Sequence, residues 1–471
     1  MPFASLLLAA ALPAVTLNPE TQRLSHDILK QLVEINTTDS VGSTTVAAQA
    51  MAKRLLDAGF PAADVTVLGP NERKGNVVAR FRGANTEGRK PILIIGHLDV
   101  VEARREDWTT DPFQLIEKDG YFYGRGTQDM KSSDAIILTS LIRFKREGYQ
   151  PDRDIILALT ADEEGGRFNG VDWLLKNHRD LVDAEYVINP DAGGVYTDNG
   201  RPVDIELEVT EKLYASFQLR ATNPGGHSSL PVPDNAIYHI ADALAKLQHS
   251  VFPFELNAVT RGYFEQLAGA ETNENAADMR AILQTPPDVS AIARLSRDAQ
   301  FNADMRTTCV PTMLQAGHAD NALPQTAQAV VNCRILPGHS AEEVRQELTR
   351  IVADPQVDVR YMDIPTGELR HHAPESKAFA PVAPPAEILQ PLERITGEIW
   401  PGAPVVPDME TGASDSIYTI AAGLPSYGFS GLAIDRHDVR AHGKDERLRV
   451  QSYDEGVEFY YRYLKALTSI Q

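Results

Sequence analysis

Residues 91–101 read PILIIGHLDVV, and residues 155–166 read IILALTADEEGG. In each stretch a short, unbroken apolar run passes directly into polar and charged side chains. Runs of this kind suit strands buried on both faces, as in a parallel sheet covered by helices. A third instance is Tyr186 to Ile188 (YVI), which leads into Asn189-Pro190-Asp191. Helical patterns fall between these runs, at Ser132 to Glu147 and Val171 to Lys176, so strand and helix alternate. In open α/β sheets ligands collect at the carboxyl ends of the strands, and His97, Asp99, Glu163, Glu164 and Asp191 all fall there.

Upstream, Asn76 to Phe81 (NVVARF) fits another strand, and Ser43 to Phe60 an amphipathic helix. Ser43 would cap that helix, Val46, Met51, Leu55 and Leu56 recur at helical spacing, and Gly59 would end it. Downstream the texture changes at Leu213. Leu213, Phe217 and Leu219 alternate with Tyr214, Ser216, Gln218 and Arg220, as in a half-exposed strand. A Pro/Gly loop (Asn223 to Pro233), a helix from about Asn235, strands at Thr307 to Gln315 and Gln328 to Ile335, a helix from Ser340 and a strand near Val357 to Met362 complete a small α+β module. A Pro-rich linker (Phe379 to Pro385) precedes the return of the α/β domain, which ends in the helix Tyr453 to Leu467. The expected fold class is therefore α/β, with a mixed, mostly parallel sheet and helices on both faces. Residues 17–212 and 363–471 would form it, and 213–362 the inserted module.

The chain has 471 residues, 43% of them apolar and 23% charged, which is ample for a buried core in two domains. Its formal net charge of −20, from 65 acidic and 45 basic side chains, would repel nucleic-acid backbones and anionic lipid. No nucleic-acid partner is expected. Cys309 and Cys333 are the two cysteines. They form no CxxC pair, and either one disulfide or two half-buried thiols fits them. Phe3 to Val15 (FASLLLAAALPAV) has the length of a signal peptide, with Leu12-Pro13-Ala14 as a rough cleavage site, although no Lys or Arg precedes it. Residues 1–16 are read as a signal peptide, so the expected location is periplasmic or secreted, with the cytoplasm as the alternative. No stretch is long and apolar enough for a membrane span.

Individually the polar residues are weak signals. His97-Leu98-Asp99 puts an imidazole and a carboxylate on one side of an extended segment, where Asp99 can hold the ring of a metal-bound histidine. An acidic pair such as Glu163-Glu164 usually sits on a solvated face, yet here it follows a buried strand. One glutamate can bind metal while its neighbour moves a proton. The segment Gly124 to Lys131 (GRGTQDMK) lacks the full phosphate-loop pattern, and its Asp129 is either a helix cap or a ligand. With Asp191 and with His442, before the last helix, the set comprises two histidines and three carboxylates. That suits two divalent ions with an open position each.

These segments resemble the M20 family of metallopeptidases. The matching stretches are GHLDVV (96–101), YGRGTQDMK (123–131), TADEEGG (160–166), NPDAGG (189–194), NPGGHSS (223–229), NALPQTA (321–327), NCRILPG (332–338) and HGKDE (442–446), in family order. The similarity is to the carboxypeptidase S-like and N-acyl-amino-acid-hydrolase branch. The resemblance implies that His97 and Asp191 hold one metal, Glu164 and His442 the other, and Asp129 bridges them. It further implies Asp99 as the orienting residue of His97 and Glu163 as the general acid/base acting on a metal-bridging hydroxide. The module at 213–362 would be a ferredoxin-like lid and dimerisation domain. His227 would reach a neighbouring subunit's active site, and Asn321, Arg334 and Gly412 would hold the substrate's free carboxylate. Ile417 stands where many relatives carry arginine, and Asn332 where other branches carry aspartate. The ions would be zinc, with cobalt or manganese as substitutes. The leading expectation is a carboxypeptidase or dipeptidase acting on small peptides as a homodimer. The alternative is an amidohydrolase of N-acyl amino acids, and the rival class is a non-catalytic peptide-binding protein with a relict site.

Overall fold

The computed structural model describes residues 15–84, 88–270, 274–363, 366–375 and 383–469. The signal-peptide reading at 1–16 falls almost wholly outside these residues, as does most of the Pro-rich linker.

The strands Ile92–His97, Ile155–Thr160 and Tyr186–Asn189 form the centre of a ten-stranded sheet. Ile92–His97 lies between the other two and runs parallel to both. Successive side chains of these strands enter opposite cores. Ile92, Ile94, Ile155 and Leu157 pack with Leu141 and Tyr460, whereas Leu93, Ile95, Ile156 and Ala158 pack with Val171 and Leu174. That division explains the unbroken apolar runs, since neither face of the strands meets water. Tyr186–Asn189 pairs in parallel with Ser426–Gly428, and Arg201–Glu211 with Val405–Glu410. Asn76–Phe81 joins antiparallel to Ile155–Thr160. The fold is thus α/β with a mixed, mostly parallel sheet.

The helix Thr44–Asp57 buries Ala47, Ala48, Met51 and Leu55. Two of the residues expected on that face, Val46 and Leu56, are exposed instead, because the apolar stripe runs through small alanines. Ser43 makes no cap bond; its hydroxyl donates to the Arg73 carbonyl.

A second, five-stranded antiparallel sheet contains Leu213–Thr222, Thr308–Ala316, Thr326–Ile335, Val357–Asp363 and Glu368–Arg370. Its inner face (Phe217, Leu219, Val331, Ile335) packs on the helices Ala236–Gln248 and Ala341–Val352. The latter carries a full capping box between Ser340 and Glu343. Cys309 and Cys333 stand opposite each other on neighbouring strands and are joined by a disulfide. Between 258 and 304 a group of short helices, with Phe264, Met279 and Leu295 at its centre, packs against Val406 of the large sheet. Among the described residues no helix is long and apolar enough to cross a membrane.

Candidate metal centre

The carboxyl ends of the three central strands converge. His97 ends its strand at 1% exposure, and the loops after the other two strands deliver Glu163, Glu164 and Asp191. Two further loops complete the cluster. The segment 124–130 brings in Asp129, and the segment 438–447 brings in His442, whose backbone is left-handed at φ 64°.

Asp129 lies between the two histidines and gives one oxygen to each. Its Oδ1 is 3.1 Å from His97 Nε2 and its Oδ2 is 3.0 Å from His442 Nε2. The other partner of His97 Nε2 is Asp191 Oδ1 at 3.5 Å, and that of His442 Nε2 is Glu164 Oε2 at 2.8 Å. The carboxylate of Asp129 therefore serves the groups around it and does not cap the following helix. Donor atoms of His97, Asp129 and Glu164 lie within 4.8 Å of one another, as do those of His97, Glu163 and Asp191. Glu164 Oε1 is buried and has no hydrogen-bond partner. Imidazole and carboxylate donors packed this closely, with one buried oxygen unsatisfied, fit two borderline divalent cations.

The electrostatics agree with that fit. Burial opposes charge on His97, but Asp191 and Asp129 hold its imidazolium well above the usual range. Hydrogen bonds to Asp129 and Glu164 push His442 up to about 10. Asp129 stays ionised because, against burial, both histidines hold its carboxyl far below the usual range. Raised in this way, both imidazoles favour their protonated forms in the metal-free protein, and each must lose its proton to take an ion. Metal affinity is therefore expected to tighten as pH rises between 6.5 and 8.5, by up to about tenfold per pH unit per ion. Competition against a zinc-binding dye across that range measures the slope, and a flat profile would contradict protonated histidines.

The part expected of Asp99 differs in the structure. His97 Nδ1 bonds the backbone carbonyl of Asp99 at 3.0 Å, while the nearer carboxylate oxygen is 3.7 Å away. That carboxylate accepts the backbone N–H groups of Glu163 at 3.2 Å and Glu164 at 3.0 Å. Asp99 thus fixes the imidazole through its main chain and the glutamate loop through its side chain. Burial raises its carboxyl to about 7, with His97 opposing.

Several residues that secure the site lie inside the quoted stretches, but the sequence gives no sign of their partners. Glu446, fully buried, accepts from Arg125 Nη1 at 2.7 Å and from the backbone N–H of Gly126, Gln128 and Asp129 at 3.0, 2.7 and 3.2 Å. Gln128 accepts in turn from the N–H groups of Arg440 and Ala441 at 2.8 and 2.9 Å. The loops carrying Asp129 and His442 are thereby laced together. Lys74 similarly pairs with Asp39 and with the buried Asp162, which precedes the two glutamates. Asp415, close to Glu163, accepts from Asn169 at 2.6 Å and is raised to about 6 by burial.

Among the described residues, no hydrogen bond or ion pair joins the remaining expected residues to the cluster. His227 is exposed on the two-residue strand Gly226–His227, paired with Ala322–Leu323, and its ring bonds the Ser229 hydroxyl at 2.8 Å. Asn321 accepts from the Ser228 N–H at 3.0 Å, next to that strand. Arg334 lies on the five-stranded sheet, over the ring of Tyr214. Gly412 donates its N–H to Glu410 Oε1 at 2.8 Å, three residues before Asp415.

The family model described as peptidase family M20/M25/M40 matches residues 93–466. The human N-fatty-acyl-amino acid synthase/hydrolase PM20D1 is 30% identical over 390 residues, spanning 80% of this chain and 74% of its own. The probable carboxypeptidase S-like 2 of Dictyostelium discoideum is 29% identical over 399 residues, spanning 83% and 74%. Among solved structures, the M20 family metallo-carboxypeptidase Sso-CP2 from Sulfolobus solfataricus shares the fold. Its TM-score is 0.65 at 16% identity, over 94% of this chain and 99% of that one.

Proposed function

The chain belongs to peptidase family M20/M25/M40 and is a hydrolase, and from that premise we propose that it cleaves the amide bond of substrates whose amine side is an amino acid with a free carboxylate. The observation that carries the reading is the position of Asp129, one oxygen to each histidine, with Glu163 beside His97 and Asp191. His97 and Asp191 would hold one divalent ion, Glu164 and His442 the other, and Asp129 both. Zinc suits such a donor set. When bound, the ions supply Lewis acidity, which makes water acidic near neutral pH and polarises the scissile carbonyl.

The chain's own residues do the rest. Burial and the negative Asp191, Asp415 and Glu164 push the Glu163 carboxyl well above its ordinary range, against His97. As a carboxylate, Glu163 would take the proton of the attacking water and, once protonated, return it to the departing amine. Arg334, Asn321 and Gly412 would anchor the substrate carboxylate. His227, exposed and bonded only within its own loop, would act across a homodimer and stabilise the oxyanion. The five-stranded unit would then be the lid and dimerisation domain. Its edge strand Thr308–Ala316 leaves Val310, Met313 and Leu314 exposed at 57%, 57% and 62%, as an uncovered pairing edge would. The disulfide supports an extracytoplasmic location, since such bonds persist in oxidising compartments.

On the acyl side two substrates fit. The sequence relatives named N-fatty-acyl-amino acid synthase/hydrolase favour a fatty acyl group. The carboxypeptidase S-like relative favours a short peptide. Glycyl-leucine, N-acetyl-leucine and N-oleoyl-leucine, each tested with and without a chelator, separate the readings. Chelator-sensitive release of leucine from at least one is the expected result. No release from any of them after zinc, manganese or cobalt is added would overturn the proposal.

A further inference from the structure

We propose that Tyr214 is a positioning residue for substrate binding, its ring holding the Arg334 guanidinium on the open face of the five-stranded sheet with the N–H edges left for the carboxylate. The inference rests on the proposed function, in which Arg334 binds that carboxylate.

Tyr214 and Arg334 are directly opposed across neighbouring antiparallel strands. Their neighbours Ala215, Cys333 and Ile335 enter the core, so Tyr214 and Arg334 both project from the other face. The Arg334 guanidinium carbon sits 4.5 Å from the Tyr214 ring centroid. Stacking occupies the flat face of a guanidinium and leaves its in-plane donors free, which is the geometry for a bidentate carboxylate. Among the described residues Arg334 makes no ion pair, and its Nη1 is buried without a hydrogen-bond partner. A cation placed so lacks only an acceptor.

The location ties this pair to the rest of the site. Two residues before Tyr214, Lys212 donates its backbone N–H to the Glu410 carbonyl at 3.0 Å. Glu410 in turn holds the N–H of Gly412, another expected carboxylate contact. The side chain of Lys212 is committed to the Arg306 carbonyl at 2.7 Å, and as a cation it gives Arg334 no support. Without that ring a long, unpaired arginine is free to sample its other rotamers.

The test uses the better-cleaved of glycyl-leucine and N-acetyl-leucine, with its C-terminal amide as the substrate lacking a carboxylate. Tyr214→Ala is expected to raise KM for the acid roughly tenfold, in proportion to a partly desolvated cation–π contact. Its kcat should stay within about twofold, because only binding is lost. The amide's kcat/KM should not change, and Tyr214→Phe should restore KM for the acid. An unchanged KM in Tyr214→Ala, an equal loss for acid and amide, or failure of phenylalanine to restore binding would each overturn the proposal. Arg334→Ala separates this from failure of the underlying reading. A raised KM there with an inert Tyr214→Ala refutes Tyr214 alone, whereas an unchanged KM in Arg334→Ala refutes the carboxylate assignment itself.

Discussion

Glu163→Gln is expected to fold, to retain two metal ions and to lose roughly a thousandfold or more in kcat, the scale of a lost general acid/base. The amide keeps the size of the side chain and the backbone bond from Glu163 N–H to Asp99, so geometry is conserved while proton transfer is not. Binding should survive, so KM should move little beside kcat. Metal content by elemental analysis and the melting temperature, taken with the kinetics, make the outcome decisive. Glu163 shares its donor distances with His97 and Asp191, so a variant that loses an ion together with its turnover would reassign Glu163 as a ligand. Substantial activity would remove it from the mechanism altogether.

The difference between the two glutamates illustrates what sequence can and cannot convey. That 163 and 164 follow a buried strand is legible, because charge placed directly after an apolar run must be desolvated unless a partner or ligand meets it there. So is the alternation of strands and helices that brings His97, Glu164 and Asp191 to one edge. The part played by Asp99 is not legible, because one residue can act through either its carbonyl or its carboxylate and spacing does not distinguish them. The strand Arg201–Glu211 is poorly legible in the sequence, although Ile205, Leu207 and Val209 alternate with Glu206 and Glu208. A face of glutamates suggests solvent, whereas Glu208 is 2% exposed against the parallel strand Val405–Glu410. The helices between 258 and 304 carry no long periodic stripe, and their core forms only on contact with Val406. Glu446 was visible as a letter in HGKDE, but its partners lie more than 300 positions earlier in the chain, and no local pattern reports such a bond.

Glu446→Ala is the change expected to damage fold and metal site together. It strips the partner from Arg125, which is 3% exposed, and an arginine so buried without a counter-charge costs about 3–5 kcal/mol. Three backbone N–H groups lose their acceptor as well, each at ~1–3 kcal/mol where water cannot replace it. Because the same bonds tie the Asp129 loop to the His442 loop, zinc affinity should fall with stability. Urea unfolding of metal-free protein isolates the first effect, since bound metal would itself stabilise the fold. Dye competition measures the second. The double variant Arg125→Met/Glu446→Leu then separates charge from architecture. With no charge left buried it should regain part of the lost stability, yet its zinc affinity should remain low, because neither apolar side chain can accept the loop's N–H groups. Restoration of metal binding in that double variant would mean that burial alone sets the loops. Wild-type stability and zinc affinity in Glu446→Ala would refute the role of Glu446 outright.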